Sequence, residues 1–176
     1  MNLIGQALAD LRTIRGLAMD VDGVLTDGGV WWGPNGEEWK RISFPDVMGV
    51  SLARRAGIVP ALISGEDSSI VNCFAEKLLI RHVVKGCRDK AAALRGFAAD
   101  SGMALAEICY IGDDINDLPA LEIAGYSAAP ANAAVEVLAR ASMITRASGG
   151  NGAVREVVNA LLAARGISQL EAFRRE

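Results

Sequence analysis

The chain reads as an α/β protein, a parallel sheet covered by helices in three layers, and two observations predict this. Short apolar runs of strand length recur along it, and helix-length stretches separate them in regular alternation, as crossover-linked strands require. Its 176 residues, 51% of them hydrophobic, are enough for one continuous core. A single domain over residues 1–176 is therefore expected.

The first strand is expected at 16–21, where Gly-Leu-Ala-Met runs into acidic residues. Residues 28–41 then break the alternation: Val30-Trp31-Trp32 and Glu38-Trp39-Lys40 flank Gly-Pro-Asn-Gly, which predicts a β-hairpin projecting from the main sheet. Its three tryptophans are read as a contact surface, since aromatic residues are enriched at interface hot spots. A helix at 46–56 leads to an apolar strand at 59–63, and a helix at 68–79 to a short one at 82–84. A helix at 89–100 precedes the strand 108–111, Ile-Cys-Tyr-Ile, and one at 116–123 precedes the strand 126–129. Helices at 132–139 and 152–164 bracket a last strand at 142–144. The tail, about 166–176, is polar over its last eight residues and is expected to fray.

Charge and composition narrow the partners. A formal net charge of -3 with scattered basic residues offers no polycationic face, so a nucleic-acid partner is not expected. Residues 1–10 lack the features of a secretory leader, and no apolar run approaches the ~18 residues of a membrane span. A soluble, cytoplasmic protein is expected. Cys73, Cys87 and Cys109 are odd in number, widely spaced and without a Cys-x-x-Cys pair, which reads as buried thiols in a reducing compartment. His82, the only histidine, lies in an apolar strand and is assigned a structural role.

The chemistry gathers at the strand ends. Asp20-Val-Asp22 closes the first strand, Ser64-Gly65 follows the second, Lys90 opens the helix after the third, and Gly112-Asp113-Asp114-Ile-Asn-Asp117 follows the fourth. A parallel sheet brings these ends to one edge, where ligands bind. Several carboxylates in one crevice need a cation, and an all-oxygen donor set selects a hard metal such as Mg²⁺. Lys90 opposes the helix dipole from the first turn, and two roles fit it: a charge aimed at a phosphate and a carboxylate, or a solvated partner of Asp89. Ser64 can donate its hydroxyl to a phosphoryl oxygen, with Gly65 offering backbone N–H.

In order, Asp20-x-Asp22-Gly-x-x-Thr26-Asp27, Ser64, Lys90 and Gly112-Asp113-Asp114-x-x-Asp117 resemble the four motifs of the haloacid dehalogenase superfamily of phosphotransferases. Asn35-Gly-Glu-Glu-Trp-Lys40, Asp89-Lys90 and Gly149-Gly-Asn-Gly-Ala-Val-Arg-Glu156 are similar to the 3-deoxy-D-manno-octulosonate 8-phosphate (KDO 8-phosphate) phosphatases and their nine-carbon relatives. The resemblance implies a Rossmann-like, haloacid dehalogenase-type fold and a Mg²⁺-dependent phosphatase of a sugar-acid phosphate in lipopolysaccharide biosynthesis. It implies Asp20 as nucleophile, Asp22 as general acid and base, and Ser64 and Lys90 as partners of the phosphoryl oxygens. It also implies metal ligation by Asp20, Asp113 and the Asp22 carbonyl, with Asp114 or Asp117 holding the metal's waters or Lys90. A phosphoryl transferase and a non-catalytic oligomeric module are the competing readings.

Only 18 residues separate Asp27 from Asp46 and 25 separate Ser64 from Lys90, so neither gap holds a cap domain. The hairpin, supplied to a neighbouring subunit, is the available lid, and the resemblance implies a homotetramer. Glu66 stands where the octulosonate enzymes usually carry arginine, and a glutamate there is similar to the nine-carbon phosphatases; Val47 replaces the usual glycine after Asp46. Glu66 suits sugar hydroxyls, and Lys40, Arg54 or Arg146 are the candidates for a sugar carboxylate. The eight-carbon substrate leads, followed by the nine-carbon one.

Overall fold

A computed structural model describes residues 11–175. The expectation about residues 1–10 lies outside them. Six parallel strands form the main sheet: β1 (Gly16–Met19), β4 (Val59–Ile63), β5 (His82–Val84), β6 (Ile108–Ile111), β7 (Tyr126–Ala129) and β8 (Met143–Ile144). Their order is β5-β4-β1-β6-β7-β8, so the chain builds outward from β1 on one side and then restarts at β6 on the other. That reversal opens a crevice beside β1 at the carboxyl edge. β2 (Trp31–Trp32) and β3 (Glu38–Trp39) pair antiparallel as a separate two-stranded hairpin, with Trp31 opposite Trp39.

Side-chain alternation sorts the helices into two layers. Leu17, Met19, Leu62, Cys109 and Ile111 face a core closed by α1 (Phe44–Arg55), α2 (Ser69–Leu78), α6 (Ala153–Ala164) and α7 (Gln169–Arg174). Ala18, Ala61, Ile63, Ile108 and Tyr110 face the other, closed by α3 (Lys90–Asp100), α4 (Leu118–Ile123) and α5 (Val135–Leu138). β1, central and wholly buried, must be apolar on both faces, which is why it reads as a continuous run. Among the described residues no helix is long and apolar enough to cross a membrane.

The structure corrects several expectations. β1 stops at Met19 rather than 21, because the Val21 carbonyl accepts N–H groups from Leu25 and Thr26 and so closes a turn. α1 starts at Phe44, two residues early, since Pro45 falls in its first turn where a missing N–H costs nothing. α5 is only four residues long. Asn132, placed by the sequence in that helix, instead accepts a hydrogen bond from the Gly149 N–H at 2.9 Å.

The tail is not frayed over residues 169–174. Ser168 and Glu171 form a reciprocal capping box at the start of α7, Ala172 is fully buried, and the Arg55 guanidinium lies 5.1 Å above the Phe173 ring. Of the three thiols only Cys109 is fully buried, with burial pushing its pKa to about 12, and Cys73 is exposed. His82 stacks edge-on against Phe97, 5.1 Å between ring centres, as a packing residue does.

Asp46 joins the two helices that meet most closely. It is fully buried and accepts hydrogen bonds from Gly152 N and Arg155 N, both at 2.9 Å, so a carboxylate satisfies orphan donors at the start of α6. Replacing Asp46 with Ala leaves those partly buried donors unpaired. Urea unfolding is expected to show a loss of about 3 kcal/mol.

Candidate active site

Registry decides what meets at the carboxyl edge. Met19 pairs with Leu62 on one side and Ile111 on the other, so Asp20, Ser64 and Asp113 leave the sheet at nearly one level. The Asp20 N–H, bonded to the Ile111 carbonyl at 2.9 Å, carries the pairing one residue further and anchors the loop base. The loop then turns back through Gly23, whose φ of +86° and whose contact with Asp113 exclude a side chain: a Cβ there would lie 2.0 Å from Asp113 Oδ2. Thr26, fully buried, accepts the Gly28 N–H at 3.2 Å. Gly149 presses on the same loop so closely that a Cβ would meet the Gly23 carbonyl at 1.7 Å, which explains the glycine pair just before α6.

Lys90 lies at the centre. Its side chain is 1% exposed, and its Nζ lies 3.1 Å from Asp20 Oδ2 and 2.7 Å from Asp117 Oδ1. The pairing with Asp89 is not what forms; Asp89 caps α3 instead, accepting the Ala92 N–H at 2.9 Å. Asp117 is saturated: Oδ1 takes Lys90 and the Tyr110 hydroxyl at 2.6 Å, and Oδ2 takes the N–H groups of Asp113 at 3.0 Å and Asp114 at 3.2 Å. Tyr110 was missed by sequence reasoning. The signal was available, since a tyrosine in a buried strand needs a hydrogen-bond partner for its hydroxyl.

The electrostatics are unbalanced. Asp20, Asp113 and Asp117 can bring ligand oxygens within 4.8 Å of one another, with Lys90 the ammonium paired to two of them. Burial first, then the charge of Asp117, push the Asp20 carboxyl up to about 7 against the pull of Lys90. Burial and then Asp20 do the same to Asp113, also to about 7. Lys90 loses proton affinity to burial but gains more from Asp20 and Asp117, so its pKa is raised and it stays charged.

Asp113 Oδ1 is buried without a hydrogen-bond partner among the described residues, which is costly for an acceptor unless a cation takes it. Asp117 has no lone pair to spare for one, so the side chains that fit a hard divalent ion are Asp20 and Asp113. The Asp22 side chain stands outside that group.

A cavity of about 260 Å³ is lined by Asp20, Asp22, Gly65, Glu66, Asp113 and Asn116, among others. Ser64 is buried beside it, its Oγ accepting the Glu66 N–H at 3.1 Å with the hydroxyl proton left to donate. Asp114, exposed, caps the turn after it through the Ile115 N–H at 2.7 Å.

Of the cations considered for a sugar carboxylate, Lys40 is not a surface residue. Its side chain is 4% exposed and pairs with Asp22 at 2.8 Å and Glu38 at 3.0 Å. Arg54 sits beside Gly57 and Val59, at the amino end of the sheet, and within this chain is remote from the strand ends that carry the carboxylates. A larger cavity of about 510 Å³ there, around Arg54, Glu76 and Arg81, holds no comparable cluster of carboxylates. Arg146 is exposed just past β8, where its backbone N–H is tied to the Glu156 carboxylate at 2.9 Å.

Comparison with known proteins follows the same lines. Residues 62–157 match the model of the haloacid dehalogenase-like hydrolase family. The 3-deoxy-D-manno-octulosonate 8-phosphate phosphatase of Escherichia coli (strain K12) is 38% identical over 159 residues, 90% of this chain and 85% of that protein. The Moraxella catarrhalis phosphatase of the same name, in complex with magnesium, phosphate and KDO, superposes with a TM-score of 0.90 at 36% identity, covering 93% of this chain and 94% of that one. The Yersinia pestis phosphatase superposes at 0.89 and 35% identity, over 91% and 86%.

Asp20 and Asp113 make the cation-free fold sensitive to pH. Each folded pKa, about 7, lies above the ordinary 3.8, so their contribution to stability is full below about pH 3.8 and is lost as pH rises through 7. Cation binding needs both ionised. Mg²⁺ is therefore expected to raise the melting temperature more at pH 8 than at pH 5.5 by thermal scan, and Gly23→Ala to remove most of that increase.

Proposed function

The chain belongs to the haloacid dehalogenase-like hydrolases, and from that membership we propose that it is a Mg²⁺-dependent phosphatase of KDO 8-phosphate acting through Asp20. The observation that carries this reading is the pairing of a buried carboxylate, Asp20 Oδ2, with a buried ammonium at 3.1 Å beside the unpartnered Asp113 Oδ1. The reading rests equally on the magnesium, phosphate and KDO named for the Moraxella relative.

Asp20 attacks phosphorus in line, the bond to the sugar oxygen breaks, and an aspartyl-phosphate forms, splitting one displacement into two. Asp22 gives its proton to the departing sugar oxygen and then removes one from the water that attacks the intermediate, which restores both aspartates and releases phosphate. Lys90 has three N–H donors, of which Asp20 and Asp117 take two, leaving one for a phosphoryl oxygen. Ser64 donates its hydroxyl to another. Mg²⁺, held by Asp20, Asp113 and the Asp22 carbonyl, would neutralise charge on the phosphoryl group.

Trp31, Trp32 and Trp39 are 56%, 75% and 54% exposed, unusual for large apolar groups beside a polar site. A second cavity of about 240 Å³ between Trp32, Lys40 and Glu66 adjoins the first and is open. Both features support a homotetramer in which the hairpin closes a neighbour's site, and the protein is read as cytoplasmic. Glu66 in both cavities favours a second reading, a nine-carbon sugar acid recognised through its hydroxyls.

Phosphate release measured with the eight-carbon and nine-carbon phosphates at equal concentration is expected to be faster with the former and to require Mg²⁺. Asp20→Asn should lower it by at least about 10³-fold while the circular dichroism spectrum is unchanged. Light scattering should give a mass near four times the 18.5 kDa of the chain, and Trp31→Ser with Trp32→Ser should reduce it.

A further inference from the structure

We propose that Lys40 is a positioning residue that holds the Asp22 carboxylate in one orientation and ties it to the hairpin. This rests on the reading of Asp22 as acid and base. Lys40 Nζ lies 2.8 Å from Asp22 Oδ1 and 3.0 Å from Glu38 Oε1, on a side chain only 4% exposed. Glu38 Oε2 in turn accepts the Ser68 hydroxyl at 2.7 Å, and the Ser68 Oγ caps α2 by accepting the Ile70 N–H at 3.2 Å. A continuous polar line therefore runs from the loop after β1, across the hairpin, to the helix after β4.

The two oxygens of Asp22 are made unequal by this line. Oδ1 takes the ammonium, with the Thr26 hydroxyl 3.5 Å away, whereas Oδ2 is buried and has no hydrogen-bond partner among the described residues. A carboxylate torsion is broad and two-fold, so an untethered Asp22 could present either oxygen. Lys40 selects Oδ2 as the atom that carries the proton. Proton transfer needs a heavy-atom approach of about 2.6–3.2 Å, and a misplacement of ~1 Å costs about 10²-fold in rate. Lys40 directly follows β3, whose Trp39 pairs with Trp31, so the residue that orients the acid is carried by the exposed aromatic hairpin.

Lys40→Met tests this, compared with the unaltered protein on KDO 8-phosphate and on p-nitrophenyl phosphate, whose leaving group departs without a proton. The kcat for the sugar phosphate is expected to fall about 10²-fold with KM within about threefold, while the p-nitrophenolate burst slows by less than about tenfold. In the Asp20→Asn background, calorimetry should give the same Kd for the sugar phosphate with Lys40 or Met. Glu38→Gln, which leaves Lys40 in place with one weaker partner, should shift kcat in the same direction by less and carries the test if Lys40→Met does not fold.

A rise in KM and Kd at unchanged kcat would make Lys40 a substrate ligand and overturn the proposal. Equal losses in both reactions would do the same by making its role purely structural. Full activity of Lys40→Met with an inactive Asp22→Asn overturns positioning alone. Full activity of Asp22→Asn overturns the acid-base reading and this inference with it.

Discussion

Asp20, Asp113 and Asp117 share a largely buried volume with the Lys90 ammonium, and the loops at the carboxyl edge are arranged around how that charge is held. A buried lysine is tolerable only when it is closely paired, and Asp117 is placed to pair with it because its other oxygen is pinned by two backbone N–H groups and its first by Tyr110. Asp117 thus works as a fixed counter-charge. Asp20 and Asp113 remain under-compensated, which is an unfavourable state for a protein alone and a favourable one for a protein that takes up a cation.

The same arrangement explains the glycines and the second layer of contacts. Gly23 lets the first loop fold over Asp113, and Gly149 lets the segment before α6 press on that loop, so residues 126 apart in sequence enclose one side of the site. Asp46 then fastens the start of α6 to α1. These are backbone approaches, and any side chain at either glycine would displace a loop that carries chemistry.

Much of the fold could be read because β1 is buried on both faces and the parallel strands are short, apolar and separated by stretches long enough for a helix. What was misread concerned burial. The tail looked polar, yet α7 needs only Ala172 buried and a capping box to dock. Cys73 looked like a core thiol, but it falls on the outer face of α2. Lys40 was a candidate for a sugar carboxylate, but the hairpin encloses it between Asp22 and Glu38. Ala172 and Lys40 are buried by other parts of the chain, whereas Cys73 is left exposed by the helix face it occupies.

Sequence alone determined that carboxylates, a serine and a lysine stand at the ends of successive parallel strands, because strand periodicity and order are local properties of the chain. It thereby determined the kind of chemistry available. Only the tertiary structure decided which oxygens are committed and which are left over: Asp117 saturated, Asp113 Oδ1 and Asp22 Oδ2 unpartnered, Lys40 enlisted by Asp22. The reason is physical. A hydrogen bond is made or missed over a few tenths of an ångström, and those distances come from the packing of six strands and the loops above them.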